Sequence, residues 1–218
     1  MSDSDSFINE VSEEVRRDRM FALWRKYGPF VIGGVMLIVA AAGLKAYFDA
    51  QERSAAQEAG GALIAASEGD LDAQAAALAA VAEGADHDGA RLLAELRAAG
   101  VAAATGDAAG AADAYDRIAA SATADPLLQD FAVYRATMLR GAEMDPAAFA
   151  DALSSIANGS GPFRLLAMEA RGIALVRAGE QTAGEDELRA AYSDEAAPPT
   201  LRQRIEVLMT AVGGSLDN

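Results

Sequence analysis

The stretch GVAAATGDAAGAADAYDRIAA, residues 100–120, contains two helical runs that meet at Gly106. Ala111 and Tyr115 follow this glycine by five and nine residues. Glycine makes the tight turn between two helices. A small residue then allows the helix backbones to approach, and a large residue one turn later fills the groove beside it. The stretch therefore predicts a helical hairpin that packs through Ala111 and Tyr115.

A second stretch, GIALVRAGEQTAGEDELRAAY at residues 172–192, repeats this arrangement. Gly184 and Leu188 follow Gly179 by the same five and nine residues. Gly179 lies 73 residues after Gly106, which corresponds to about two units of ~34 residues. The chain is therefore predicted to contain an internal repeat of helical hairpins.

The rest of the domain is also predicted to be helical. Alanine, the best helix former, supplies 49 of the 170 residues from 49 to 218, and no alternating β pattern recurs. Proline and glycine mark helix boundaries at regular intervals. The predicted starts are at Asp125-Pro126, Asp145-Pro146, Pro162 and Pro198-Pro199, and the predicted ends are at Gly84 and Gly213-Gly214. The helix after Pro146 is predicted to carry Phe149, Leu153 and Ile156.

An apolar run near the N-terminus predicts a membrane-spanning helix at residues 27–48. Tyr27–Leu44 contains no charged residue, and a helix of this length crosses the ~30 Å hydrocarbon core. Trp24, Tyr27 and Tyr47 lie at the two edges, as expected of an aromatic belt, and Lys45 is close enough to the end to reach the interface. Two alternatives remain open: a buried core helix, and a signal peptide cleaved after the small residues 40–42.

Basic residues set the predicted orientation. Five of them (Arg16, Arg17, Arg19, Arg25 and Lys26) precede the span, whereas only Lys45 and Arg53 follow it closely. An excess of lysine and arginine marks the cytoplasmic side. Residues 1–26 are therefore predicted to be a cytoplasmic amphipathic segment, and residues 49–218 an exported helical domain.

The charge of the exported domain restricts its partners. Residues 49–218 carry 27 acidic residues and 12 arginines, so the formal net charge of −15 resides there. A strongly acidic surface disfavours binding to nucleic acid and to anionic lipid head groups. It favours solubility and binding to protein partners that have basic segments. The sequence predicts no nucleic-acid partner.

The composition offers little for catalysis. There is no cysteine, and the one histidine, His87, lies between two aspartates whose side chains diverge from it. A metal site needs ligands that converge from spaced positions, and nucleophilic catalysis needs a base beside a nucleophile. The chain is therefore predicted not to be an enzyme and to use no cofactor, metal or small-molecule substrate. Five aromatic residues are predicted to be core rather than groove residues: Tyr115, Phe131, Tyr134, Phe149 and Tyr192.

The two aligned stretches resemble the tetratricopeptide repeat, whose pattern places a glycine, a small residue and an aromatic at these offsets. Pro126 and Pro198 resemble the proline that often closes such a unit. The second stretch departs from the pattern, because it has Gly184 and Leu188 where alanine and an aromatic are usual. Together with the apolar run at residues 27–48, the resemblance predicts an all-α fold: a single N-terminal transmembrane helix followed by a tetratricopeptide-like helical-hairpin solenoid.

The order of the segments is similar to that of the YfgM-like proteins, the ancillary SecYEG translocon subunit family. A charged amphipathic start, one anchor helix and an alanine-rich repeat domain follow one another over nearly the whole chain. This resemblance implies a single-pass bacterial inner-membrane protein with its C-terminal domain in the periplasm. It also implies the SecYEG translocon and periplasmic chaperones as partners. The alternative is a scaffold of cell-envelope or division assembly that makes no translocon contact.

Overall fold

The computed structural model describes residues 3–85 and 87–216, with side chains for residue 20, residues 24–30 and the residues from 32 onward. These residues form ten α-helices and no strand, which confirms the all-α prediction. The helices are α1 (Asp3–Ala65), α2 (Leu71–Gly84), α3 (Asp88–Ala104), α4 (Ala108–Ala119), α5 (Pro126–Arg140), α6 (Pro146–Ala152), α7 (Ser154–Ala157), α8 (Arg164–Arg177), α9 (Gln181–Ser193) and α10 (Pro199–Ala211).

The chain divides into two compact units, Met1–Gln57 and Glu58–Asn218. Helix α1 forms the described part of the first unit. From Trp24 onward it contains a stretch with a mean hydropathy of 1.9, of which 6% is buried. The helix is long and apolar enough to cross a membrane. The side chains of the predicted amphipathic segment up to residue 19 lie outside the described residues.

The second unit is built from helices that pack on their neighbours in the chain. Helix α3 packs on α2 and α4, α5 packs on α4, and α9 packs on α8 and α10. The short helices α6 and α7 both pack on α8. Consecutive antiparallel helices joined by short loops bury one apolar face after another, as in a helical solenoid. The hydrophobic core follows the same order, in separate clusters along the chain.

Aspartate side chains cap four helices at their N-termini. Asp70, Asp107, Asp125 and Asp145 each accept a hydrogen bond from a backbone amide two or three residues later. Such a cap satisfies an amide that has no partner inside the helix and typically contributes about 1 kcal/mol. Proline occupies the opening turn of α5, α6 and α10, which confirms three of the predicted starts.

Two predicted boundaries were wrong. Helix α8 begins at Arg164 and not at Pro162, because a turn closed by the Arg164 amide and the Gly161 carbonyl (3.1 Å) precedes it. The segment predicted as one helix after Pro146 is divided at Leu153 into α6 and α7. The division lets both short helices pack on α8, and Leu153 is fully buried in the core there.

Candidate functional site

The first repeat places its three predicted residues in one hairpin. Gly106 joins α3 to α4 with φ of +91°, a conformation that glycine adopts without strain. Ala111 is fully buried, and Tyr115 is only 3% exposed. The Tyr115 ring meets Phe131 of α5 edge to face with 5.9 Å between centroids, and the Arg135 guanidinium carbon lies 5.7 Å from its centroid. Tyr115 therefore joins α4 to the next helix.

The second repeat brings α8 and α9 into closer contact. Gly179 joins the two helices with φ of +89°, and Leu188 is fully buried. Gly184 is also buried, and a Cβ added there would lie 2.6 Å from the Gly172 carbonyl oxygen and 2.6 Å from Val176 Cγ2. Only a residue without a side chain fits this crossing. Gly172 was not predicted, although it opens the second quoted stretch as Gly100 opens the first.

The two turns share one hydrogen-bond pattern. In the first, the Asp107 amide donates to the Ala102 carbonyl at 2.9 Å. In the second, the Glu180 amide donates to the Leu175 carbonyl, also at 2.9 Å. In both turns the glycine amide donates to a carbonyl three residues before it. This is the Schellman motif, which satisfies the last carbonyls of a helix and requires a left-handed residue, here glycine.

The predicted membrane-interface residues lie on α1 with their side chains exposed. Trp24 is 61%, Tyr27 50% and Tyr47 64% exposed. Lys45 forms an ion pair with Asp49 one turn later, at 2.9 Å. Together they bracket the exposed apolar residues of the span, an arrangement suited to headgroup regions on either side of a hydrocarbon layer.

A recess of about 270 Å³ lies between α5, α6 and α8. Its walls are apolar except for one arginine at the end of α8. The lining residues are Met138, Gly141, Ala142, Pro146, Phe149, Ala170, Ile173, Ala174 and Arg177. Phe149 also packs against the core, whereas Met138 is 43% exposed.

A second recess, of about 480 Å³, lies between α8 and α10 and shares Ile173 with the first. Its lining residues are Glu169, Ile173, Gln203, Arg204, Val207 and Leu208. We name the two recesses together the α8 groove. Val207 is 66% exposed there.

One ion pair links the two walls of the second recess. Arg204 of α10 binds Glu169 of α8 through two hydrogen bonds, of 2.8 and 2.6 Å. The hydrogen bond to Glu169 raises the pKa of the Arg204 guanidinium, so the arginine stays charged. Burial, with a further contribution from the Glu169 charge, raises the pKa of the nearby Tyr134 hydroxyl. The second recess therefore contains one ion pair, whose charges neutralise each other, between walls that are otherwise mainly apolar.

The described residues contain no group of three or more histidine, cysteine, aspartate or glutamate side chains placed to hold a metal ion. His87 is exposed at the start of α3, with no side-chain capping bond. The chemistry available in the α8 groove is therefore apolar contact with one or two charged contacts at its edges.

The repeat-packing residues and the α8 groove occupy different places. Ala111, Tyr115, Gly184 and Leu188 are buried between helices, whereas the groove lies on the exposed side of α8. The five aromatics predicted to be core all pack in the two larger hydrophobic clusters, but Phe149 also lines the α8 groove, which the prediction had not assigned to it. Ile173 was missed as a groove residue because it continues the apolar spacing of α8. Val207 was not singled out, and it lies off the buried stripe of α10 formed by Leu201, Ile205 and Met209.

Comparison with known proteins identifies the family. The profile described as a tetratricopeptide repeat-like domain matches residues 22–213, which is most of the chain. No curated protein matches the chain. No solved structure matches it either. The two glycine turns, the small and large residues of the hairpins and the stacked helices agree with this match: the chain belongs to the tetratricopeptide repeat-like domain family.

Proposed function

We propose that this chain is a membrane-anchored interaction protein whose α8 groove binds an apolar segment of a protein partner. The observation that carries the proposal is the apolar surface that Met138 and Val207 leave exposed along the groove, with the half-buried Ile173 shared by its two recesses. Folded proteins keep contiguous exposed apolar patches small, so such a surface marks an interaction site. Tetratricopeptide-like folds are typically non-catalytic scaffolds, which favours binding over catalysis.

The second part of the proposal is the anchor. Residues 27–48 would cross a bacterial inner membrane, with residues 1–26 in the cytoplasm and residues 49–218 in the periplasm. The uncharged run, the exposed aromatics at its ends and the basic residues that precede it support this arrangement. An anchor holds the groove close to membrane partners, and the raised local concentration makes weak contacts sufficient.

The partners that we propose are the SecYEG translocon and periplasmic chaperones, to which the chain would link newly exported proteins. The support is the similarity in segment order to YfgM-like proteins, together with membership of a family whose members mediate protein–protein contacts. In the alternative, the same groove serves cell-envelope or division assembly. Copurification after mild detergent extraction separates these roles, because only the first recovers SecYEG subunits.

Placing a charge in the groove tests its role. We expect Val207→Glu to lower the recovery of SecYEG subunits with the full-length protein at least about tenfold. An unpaired carboxylate buried at an apolar interface costs more than the ~1.4 kcal/mol that corresponds to a tenfold loss. The measurement is quantitative mass spectrometry of the copurified proteins.

Ile64→Glu is the matched control, because Ile64 is 64% exposed and lies on α1, outside the α8 groove. It introduces the same charge at the same exposure, and we expect unchanged recovery. Equal losses in both variants would contradict a role for the groove. If the wild type recovers division or cell-wall proteins in place of SecYEG, the alternative is correct.

Charge inside the apolar run tests the anchor. We expect the wild type to stay in the membrane pellet during alkaline carbonate extraction and the double variant Val35→Arg/Val39→Arg to move to the supernatant. Each arginine at the centre of a span costs about 2.5–3.5 kcal/mol. Val35→Leu/Val39→Leu should behave like the wild type. Wild-type protein in the supernatant, or a C-terminal part resistant to protease added to spheroplasts, would contradict the proposed arrangement.

A further inference from the structure

Arg177 ends α8 and lines the first recess of the α8 groove. Its side chain is exposed, and it makes no ion pair or hydrogen bond with any residue that the structure describes. It is also the one charged side chain among the residues that line this recess. A cation without a partner therefore stands at the edge of an apolar cavity.

Six of the 12 arginines in this domain, Arg177 among them, form no ion pair with a described residue, although acidic residues outnumber arginines by 27 to 12. The other arginines of α8 are both paired: Arg164 with Asp194 at 2.6 Å, and Arg171 with Glu187 at 2.7 Å. Arg204 across the groove is paired with Glu169 at 2.6 Å. Although carboxylates are abundant, none of those described lies within ion-pair distance of Arg177.

The surroundings of Arg177 favour a carboxylate that arrives with a partner. Met138, Phe149 and Ile173 line the same recess, so a bound segment that covers them also removes water from beside the guanidinium. A guanidinium–carboxylate hydrogen bond strengthens as water is removed, provided that both groups are paired. An apolar side chain and a carboxylate on one face of a partner would satisfy the recess and Arg177 together.

We propose that the first recess recognises a partner segment in which a large apolar side chain and a glutamate or aspartate lie about one helical turn apart. The apolar side chain contacts Met138, Phe149 and Ile173, and the carboxylate binds Arg177. This inference rests on the proposed function of the α8 groove and specifies the partner's chemistry.

The net charge of −15 opposes any acidic partner at long range, but it does not decide the contact. The Debye length is about 8 Å at physiological ionic strength, so most acidic residues of the domain are screened from a carboxylate at Arg177. The direct contact is screened much less. We therefore expect the preference for a carboxylate to persist in physiological salt.

Synthetic peptides test the inference on the detergent-solubilised full-length chain. Three dye-labelled peptides, amidated at the C-terminus, carry the same leucines on one helical face and differ only in a glutamate, glutamine or lysine one turn from the central leucine. Fluorescence anisotropy in physiological salt gives each Kd. We expect the glutamate peptide to bind about fivefold more tightly than the glutamine peptide, which corresponds to about 1 kcal/mol, the upper end of the range for an exposed ion pair.

Reversing the charge gives the decisive comparison. We expect Arg177→Glu to abolish the preference for glutamate and to favour the lysine peptide. Arg117→Glu is the matched control, because Arg117 on α4 is also exposed and has no ion pair with a described residue, yet it lies outside the α8 groove. It changes the net charge equally, and the order of the three peptides should stay unchanged.

The outcomes separate the inference from the proposed function. One outcome would show that the inference is wrong and that the groove remains a binding site. In that outcome the peptides bind, Val207→Glu weakens the binding of all of them, and the wild type binds the glutamate and glutamine peptides equally well. Equal effects of Arg177→Glu and Arg117→Glu would also overturn it. A fourth peptide carries glutamine and a free C-terminal carboxylate. If it binds more tightly than the glutamate peptide, the inference is wrong, because a terminal carboxylate and not a side-chain carboxylate is then preferred. If no peptide binds the wild type, both the groove and the inference are wrong.

Discussion

Replacing Gly184 with alanine is expected to lower the free energy of unfolding by about 3 kcal/mol, at the upper end of the usual range for overpacking a core. The new Cβ would lie 2.6 Å from the Gly172 carbonyl oxygen and 2.9 Å from the Val176 amide nitrogen, both of which are backbone atoms. Backbone atoms cannot rotate away as a flexible side chain can, so α8 and α9 must separate. Hydrogen exchange of α8 and α9 amides in the full-length chain measures the effect.

Gly100→Ala is the matched control for this substitution. Gly100 lies inside α3, and a Cβ there would meet only the Tyr115 hydroxyl, at an ordinary contact distance of 3.9 Å. Alanine favours a helix interior over glycine by about 1 kcal/mol, so protection from exchange should rise in α3. The same chemical change therefore has opposite expected signs in the two hairpins. Equal protection of α8 and α9 in Gly184→Ala and the wild type would contradict the close crossing.

Truncating Tyr115 is expected to cost about 4 kcal/mol, within the 3–5 kcal/mol typical of removing a large buried aromatic. The ring is 3% exposed and packs edge to face on Phe131. Tyr115→Ala leaves a cavity between α4 and α5 and removes the ring beneath the Arg135 guanidinium. Hydrogen exchange of the α4 and α5 amides should report the loss.

Tyr115→Phe separates the ring from its hydroxyl. Because the hydroxyl makes no hydrogen bond with any described residue, the phenylalanine variant should lose less than about 1 kcal/mol. If Tyr115→Phe costs as much as Tyr115→Ala, the hydroxyl and not the packed ring stabilises the hairpin. That result would contradict the proposed role of the large residue.

Helix starts and glycine turns were predictable because their signals are local. A capping aspartate before a proline determines where α5 and α6 begin, and both act within a few residues of the chain. The hairpin residues were also predicted from spacing, since five and nine residues after the turn bring side chains to one face of the second helix. Local rules therefore account for the helices and for which residues face a partner helix.

The groove and the break at Leu153 were not predictable from such signals. Leu153 continues the helical spacing begun at Phe149, and nothing in its neighbours requires the helix to end. The break depends on how α6 and α7 both pack on α8, which is a contact between distant parts of the chain. Ile173 likewise has ordinary core spacing, and its partial exposure depends on the stacking of whole helices. The unpaired state of Arg177 depends on the same stacking.

The crossing of Gly172 and Gly184 would affect how the α8 groove binds the partner proposed for it. Gly172 faces α9, while the next residue, Ile173, lines both recesses of the groove. Two backbones in direct contact leave α8 little freedom to shift or roll, so the groove wall is preorganised. Binding to a fixed wall would cost less conformational entropy than binding to a mobile wall. The smaller cost would give a higher affinity for the same contacts.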